Sequence, residues 1–409
     1  MLIEFTVGNF LSFKDKKTLS LEATAIKEFE DNVFNIGGYK LLRSAVIYGA
    51  NSSGKSNLLK ALNTMREIVI NSANKSSTDE IDTVPFLLST ETENQPSFFE
   101  VLFLIDGICY RYGFELDRKH VHAEWLFERN GSNKEKALFV REKDTIEITN
   151  NFNEGKGLVE RTRANALFLS VVDQFNGTLS KKIIFWFKNQ LIVSGLQHEK
   201  NRDMNDVFLK ESIIAIWIEK FLSTLGLGFE ELALIETENS KNYIATYHNK
   251  YNKAGNIVGK HEFRLLEQES AGTNKLIDIA GHVGVALLAG RLTVIDELDA
   301  KLHPLLTIAI VKLFNSPEHN SKNAQLIFAT HDTNLLNYAC FRRDQIYFTE
   351  KDRFEATDLY SLVEYKEPDG TKVRNDRSYE KDYIAGRYGA IPFIGNFSNL
   401  LDNGKGSKN

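Results

Sequence analysis

The stretch YGANSSGKSNLL, Tyr48 to Leu59, sets four residues between Gly49 and Gly54-Lys55-Ser56, the spacing of a loop that cradles phosphate. Such a loop works only between a strand and a helix, because its converging backbone N–H groups are reinforced by the positive end of the helix behind them. Both flanks are present. Ser44 to Tyr48 (SAVIY) is a short apolar run suited to a buried parallel strand. Leu58, Leu59, Leu62, Met65 and Ile68 then fall on one stripe of a helix starting at Ser56. Lys55 is placed to reach the β and γ oxygens of a nucleoside triphosphate and Ser56 to ligate Mg²⁺, with Asn51, Ser52, Ser53, Gly54 and Asn57 completing the loop.

A parallel α/β sheet binds its ligand beyond the carboxyl ends of its strands, so other apolar runs ending in chemistry-bearing residues belong beside this loop. RLTVIDELD (Arg291 to Asp299) delivers Asp296, a candidate Mg²⁺ ligand, and Glu297, a candidate general base for water. QLIFATHD ends in His331, within reach of a γ-phosphate. Ser56 and Asp296 are 240 residues apart, so something large is inserted between loop and acid. Just before the acidic strand, Ser270, Gly272 and Thr273 open a helix striped with Leu276, Ile279, Ala280, Val283 and Leu287. That is a second anion cradle in one chain, and it suggests a nucleotide shared between two chains.

The rest of the chain frames these motifs. Residues 71–96 are polar and read as a flexible excursion; FFEVLFLIDGICYRYGFEL reads as a hairpin turning at Asp106-Gly107, with VHAEWLFER as a third antiparallel strand. From 164 to 234 the period becomes helical, with Trp186, Phe187, Ile213, Ile214, Trp217, Ile218 and Phe221 at spacings of three and four. A further hairpin turns near Ala254-Gly255. The expected organisation is a lobe over 1–163, a helical insertion over 164–234, a second lobe over 235–401 and a disordered tail over 402–409. A net charge of −5 excludes a global basic field, and two cysteines, Cys109 and Cys340, are too few for a disulfide framework. With no signal peptide and no apolar run of about 20 residues, a cytoplasmic chain without membrane association is expected. His120 and His122 share a strand face but have no evident further ligand for a metal.

The order of motifs resembles the ATP-binding-cassette heads of the SMC, Rad50 and RecF type: Walker A at Gly49 to Ser56, signature at Glu269 to Thr273, Walker B at Leu292 to Glu297, D-loop at Leu298 to Leu302 and switch histidine at His331. The opening IEFTVGNFLSFKD, with Asn9-Phe10 before a turn, is similar to the first strand of that group. ESAGT departs from the usual Leu-Ser-Gly-Gly-Gln, and Gln95 is only a weak Q-loop candidate. Within the group, the chain resembles prokaryotic AAA-like ATPases related to the OLD family and to RloA- and AbiLi-type abortive-infection systems, which share ESAGT, IDELDxxLHP and a tail like YIAGRYGAIP (Tyr383 to Pro392). The resemblance implies an α/β P-loop ATPase head with an antiparallel β subdomain, using ATP and Mg²⁺. It also implies a homodimer or higher oligomer, with ATP between Lys55 of one subunit and Ser270 and Gly272 of the other, and Asp299 of the D-loop as a further nucleotide-binding candidate. Antiviral defence through a separately encoded effector, a nuclease, follows from the same resemblance. The 78 residues after His331 hold no clustered acidic set for a nuclease of their own. The alternative is a RecF-like clamp on DNA, with DNA or RNA as a direct ligand.

Overall fold

The computed structural model describes residues 1–131, 133–194, 208–237, 242–337, 341–367 and 369–392. Cys340 and the expected tail at 402–409 lie outside them. The chain opens with β1 (Leu2–Gly8) and β2 (Lys17–Ser20), the small hairpin β3 (Val33–Ile36) and β4 (Tyr39–Leu42), then β5 (Ser44–Tyr48), the glycine loop and α1 (Lys55–Asn71). A meander follows: β6 (Ser97–Ile105), β7 (Ile108–Leu116), β8 (Val121–Asn130), β9 (Lys136–Glu142) and β10 (Thr145–Ile148), backed by α2 (Phe168–Gln174) and α3 (Thr178–Lys188). Next come β11 (Leu191–Ser194), α4 (Ser212–Ser223), the strands β12 (Glu231–Ile235), β13 (Tyr243–Tyr251) and β14 (Ile257–Arg264), and the single turn α5 (Leu265–Gln268). The chain continues through α6 (Ala271–Ala289), β15 (Leu292–Asp296), α7 (Pro304–Asn315), β16 (Gln325–Ala329), α8 (Asn334–Asn337), β17 (Ile346–Lys351), β18 (Thr357–Ser361) and α9 (Tyr379–Ile384).

Two large sheets result. One is antiparallel, in the order β10-β9-β8-β7-β6-β1-β2; the other runs β11-β15-β16-β5-β17-β18, parallel except for its last strand. The period-two alternation of β5 sorts its side chains between two cores. Ala45 and Ile47 join α1 and the antiparallel sheet, whereas Val46 and Tyr48 join α6 and α7 on the opposite face. Leu292 and Val294 against Ile295, and Ile327 and Ala329 against Leu326 and Phe328, divide the same way. Helix α1 is therefore sandwiched between the sheets, and the fold is an α/β P-loop head with an antiparallel subdomain.

Asp106 (φ 52°) and Gly107 (φ 78°) form the expected hairpin turn, with Ile105 opposite Ile108. Two expectations are corrected. Residues 71–96 are not a free excursion: Ile81 and Phe86 are buried, and the Asn9 side chain grips the segment, Nδ2 donating to Thr92 O (2.9 Å) and Gln95 O (2.8 Å) while Oδ1 accepts from Phe86 N (2.9 Å). Nor is 164–234 a separate helical insertion. Helices α2 and α3 belong to the first core, where Trp186 stacks on Phe103 at 4.3 Å, while β11 is the edge strand beside β15. The exposed Ile213 (70% accessible) sits on α4, whose Ile218 and Phe221 face the second core.

Candidate functional site

Strand β5 is buried along its whole length and stops at Tyr48, where the backbone turns through Gly49 (φ 155°) and Gly54 (φ 114°). Both glycines are required by space as well as by conformation. A Cβ on Gly49 would meet Thr349 O at 2.5 Å, and one on Gly54 would collide with Thr357 Oγ1. Strands β17 and β18 thus wall the loop. Ser53 Oγ lies 2.6 Å from Thr349 Oγ1, and Thr357 Oγ1 donates to Ser53 O at 2.9 Å. Asn57 Nδ2 donates to Ser12 Oγ (2.8 Å), and Thr357 N to Ser12 O (2.7 Å), so the turn after β1 closes the other side. Asn51, Ser52 and Ser56 face solvent; Ser53, Gly54 and Lys55 are buried. Lys55 Nζ donates to Gly49 O (2.7 Å) and Ala50 O (3.0 Å). Burial pushes its pKa down, against the opposing pull of Asp296, Glu297 and Asp299, which places all three carboxylates in its field.

Ser12, Thr349 and Thr357 escape a sequence reading because no local spacing links them to residues some 300 positions away. The tail motif left a clearer signal. Tyr383 packs its ring against Tyr48 (5.7 Å) and Phe348 (5.4 Å), and its hydroxyl donates to Ala390 O (3.1 Å). YIAGRYGAIP is thus a buttress behind the strand that carries the loop.

Strand β16 lies between β5 and β15, so Asp296 and the residues before His331 emerge beside the glycine loop. Three carboxylate oxygens here are buried without a hydrogen-bond partner among the described residues: Asp296 Oδ1, Asp299 Oδ1 and Asp332 Oδ2. Orphaned anionic oxygens are rare in folded proteins, and a bound cation is one answer to such an oxygen. Asp296, with the exposed hydroxyl of Ser56, is a donor set of the hard-oxygen kind that suits Mg²⁺. Glu297 is held at φ 55°, a left-handed conformation that a non-glycine residue adopts at some cost. Its neighbour Asp299 accepts from the exposed His331 through the latter's backbone N–H (3.4 Å). Tyr48 Oη donates to Asp332 O (3.1 Å), tying β5 to the turn after β16. Lys275, only 1% accessible, sits in the field of Asp278, Asp299 and Glu297; burial brings its pKa down to about 8.

Ser270 caps α6, its Oγ accepting from Thr273 N (3.1 Å), and both Ser270 and Ala271 are exposed. A Cβ on Gly272 would stand 3.1 Å from Lys301 O, so the start of α6 rests on the Leu298–Leu302 turn of its own chain. Gln95 is exposed and engaged through its backbone carbonyl by Asn9. At the His120-His122 face the sequence reading overlooked Asp117, whose Oδ2 is 2.7 Å from His122 Nε2; no group of three or more metal-ligating side chains forms among the described residues. No helix among those residues is long and apolar enough to cross a membrane.

Comparison with solved structures finds SMC heads at low identity. The SMC head domain from Thermotoga maritima is 14% identical, covering 88% of this chain and 98% of that one with a TM-score of 0.41. An SMC head bound to the C-winged helix domain of ScpA is 14% identical, covering 88% and 97% with a TM-score of 0.48. An SMC head with a coiled coil and joint from Pyrococcus yayanosii is 13% identical, covering 88% and 97% with a TM-score of 0.45. No curated protein matches the chain. A family model, "AAA domain, putative AbiEii toxin, Type IV TA system", matches residues 44–337, which take in the glycine loop, the Ser270 turn, Asp296, Glu297 and His331. The chain belongs to that family of AAA ATPase domains.

Proposed function

We propose that this chain is a Mg²⁺-dependent ATPase that closes as a head-to-head dimer around ATP and, by closing and opening, controls a separately encoded effector, a nuclease, in antiphage defence. The observation that carries the ATPase reading is the buried, unpartnered Asp296 oxygen at the end of β15, with β16 between it and the strand that carries the glycine loop, and followed directly by Glu297. The loop N–H groups and Lys55 would hold the β- and γ-phosphates, while Ser56 and Asp296 would hold Mg²⁺. The bound cation supplies charge neutralisation on the oxygens of the breaking bond. Glu297 would accept a proton from the attacking water as its oxygen bonds to the γ-phosphorus and the bridging oxygen leaves with ADP. His331, exposed at the end of the neighbouring strand, would face the γ-phosphate.

Support for a shared site comes from the exposed Ser270 turn, which caps the start of α6 at the surface. In the closed dimer Ser270, Gly272 and Thr273 of one chain would cap the nucleotide held by the other. The family description, which names a toxin and a toxin–antitoxin system, supports action alongside a second component.

Two variants test this reading. Glu297→Gln in saturating ATP and Mg²⁺ is expected to sediment as a stable dimer with phosphate release abolished, and Lys55→Ala to remain unbound and monomeric. A Glu297→Gln chain that stays monomeric would overturn the shared site. Cells carrying either variant should lose protection against phage; full protection by both would refute the defence role.

A further inference from the structure

Residue 269 is where the ATP-binding-cassette pattern has leucine and this chain has glutamate. The carboxylate is 9% accessible and doubly held: Thr246 Oγ1 donates to Oε1 at 2.6 Å, and His248 Nε2 lies 2.6 Å from the same oxygen. Both partners project from β13, and Phe263 of β14 packs on the His248 ring at 4.5 Å. Strand β14 then runs through the single turn α5 straight into Glu269 and Ser270. Asn274 Nδ2 ties that turn together by donating to Leu265 O (3.0 Å) and Ser270 O (3.0 Å). A carboxylate taken out of water must be met by donors, so Glu269 couples the sheet to the Ser270 turn. At its far end the same sheet projects residues 250–261, every one exposed, into solvent.

We propose that Thr246 and His248 are positioning residues: through Glu269 they fix the Ser270 turn in the geometry that receives the partner's nucleotide, which makes the β12–β14 sheet a lever on the composite site. The proposal rests on the shared-site reading above. It accounts for the glutamate as a handle that leucine cannot offer.

The test is made in the Glu297→Gln chain, by measuring ATP- and Mg²⁺-dependent dimerisation in the ultracentrifuge and binding of a fluorescent ATP analogue to the monomer. Combining Thr246→Val with His248→Ala is expected to weaken dimerisation about tenfold or more, the loss of two hydrogen bonds to one charged group, while monomer affinity stays within about twofold. His248→Gln, which keeps an N–H donor, should recover part of the loss when Thr246 is intact. Unchanged dimerisation would overturn the proposal. So would a parallel fall in monomer affinity and unfolding midpoint, which marks a merely structural role. Failure of Glu297→Gln alone to dimerise would remove the shared site itself, and the proposal with it.

Discussion

Gly54 shows how little freedom a single residue has at this site. Its φ of 114° lies where an L side chain is strained, and the space for a Cβ is already filled by Thr357. Gly54→Ala should therefore destabilise the fold by about 1–3 kcal/mol and abolish nucleotide binding, because relief requires moving the loop off β18. Thermal unfolding and titration with a fluorescent nucleotide measure the two effects separately. Lys275 carries a second residue-scale expectation. Burial holds its pKa near 8, below the ordinary 10.5 of a lysine, so between these values the unfolded chain binds a proton that the folded chain does not. Stability linked to this group therefore rises with pH across that window and is least below pH 8. Relative to Lys275→Met, the wild-type chain should gain stability on going from pH 7 to pH 10, by at most about 3 kcal/mol. Urea unfolding at both values checks the sign; a difference that falls with pH would show that the lysine is held charged by its carboxylate neighbours.

At the scale of elements, the segments that carry local chemistry were readable and those held by distant contacts were not. Strand β5, the glycine loop and α1 announce themselves because their spacing, period and end signals agree within two dozen residues. The segment before β6 does not, since its polar composition hides the two side chains that matter, Ile81 and Phe86, and its clamp is Asn9, some 80 positions earlier. For the same reason β11 was lost inside a helical pattern: four residues are too short to show a period, and only pairing with β15 makes them a strand. Asn9 adopts φ 45°, a conformation it tolerates better than alanine does, and it supplies both a donor and an acceptor to the segment. Asn9→Ala should cost about 2–4 kcal/mol, through lost hydrogen bonds and backbone strain together. Limited proteolysis should then find new cleavage between 86 and 96; an unchanged digestion pattern would mean that Phe86 alone anchors the segment.

Across the whole molecule the two sheets are joined by few, well-satisfied polar contacts. Gln325, fully buried at the start of β16, accepts from Leu2 N (2.7 Å) and donates to Leu2 O (2.9 Å), binding the antiparallel sheet to the parallel one. In the proposed dimer, a head braced this way would act as one rigid half. Its loop and its Ser270 turn would then be presented to another copy together, and twofold symmetry would pair each loop with the other copy's turn. The consequence is a prediction about mixtures. Lys55→Ala and Ser270→Arg should each be inactive in phosphate release when alone, the first for want of a phosphate ligand and the second because a bulky cation blocks the cap. In a mixed dimer both defects fall on one site, and the other site combines the intact Lys55 of one chain with the intact Ser270 of its partner. Because neither variant closes around ATP with itself, the dimers that form are mixed and each carries one working site, so an equimolar mixture should recover up to about half of wild-type activity if the sites work independently. If the two sites must fire together, the mixture stays inactive while still forming ATP-dependent dimers. Activity of Ser270→Arg alone would show instead that the Ser270 turn takes no part in the site.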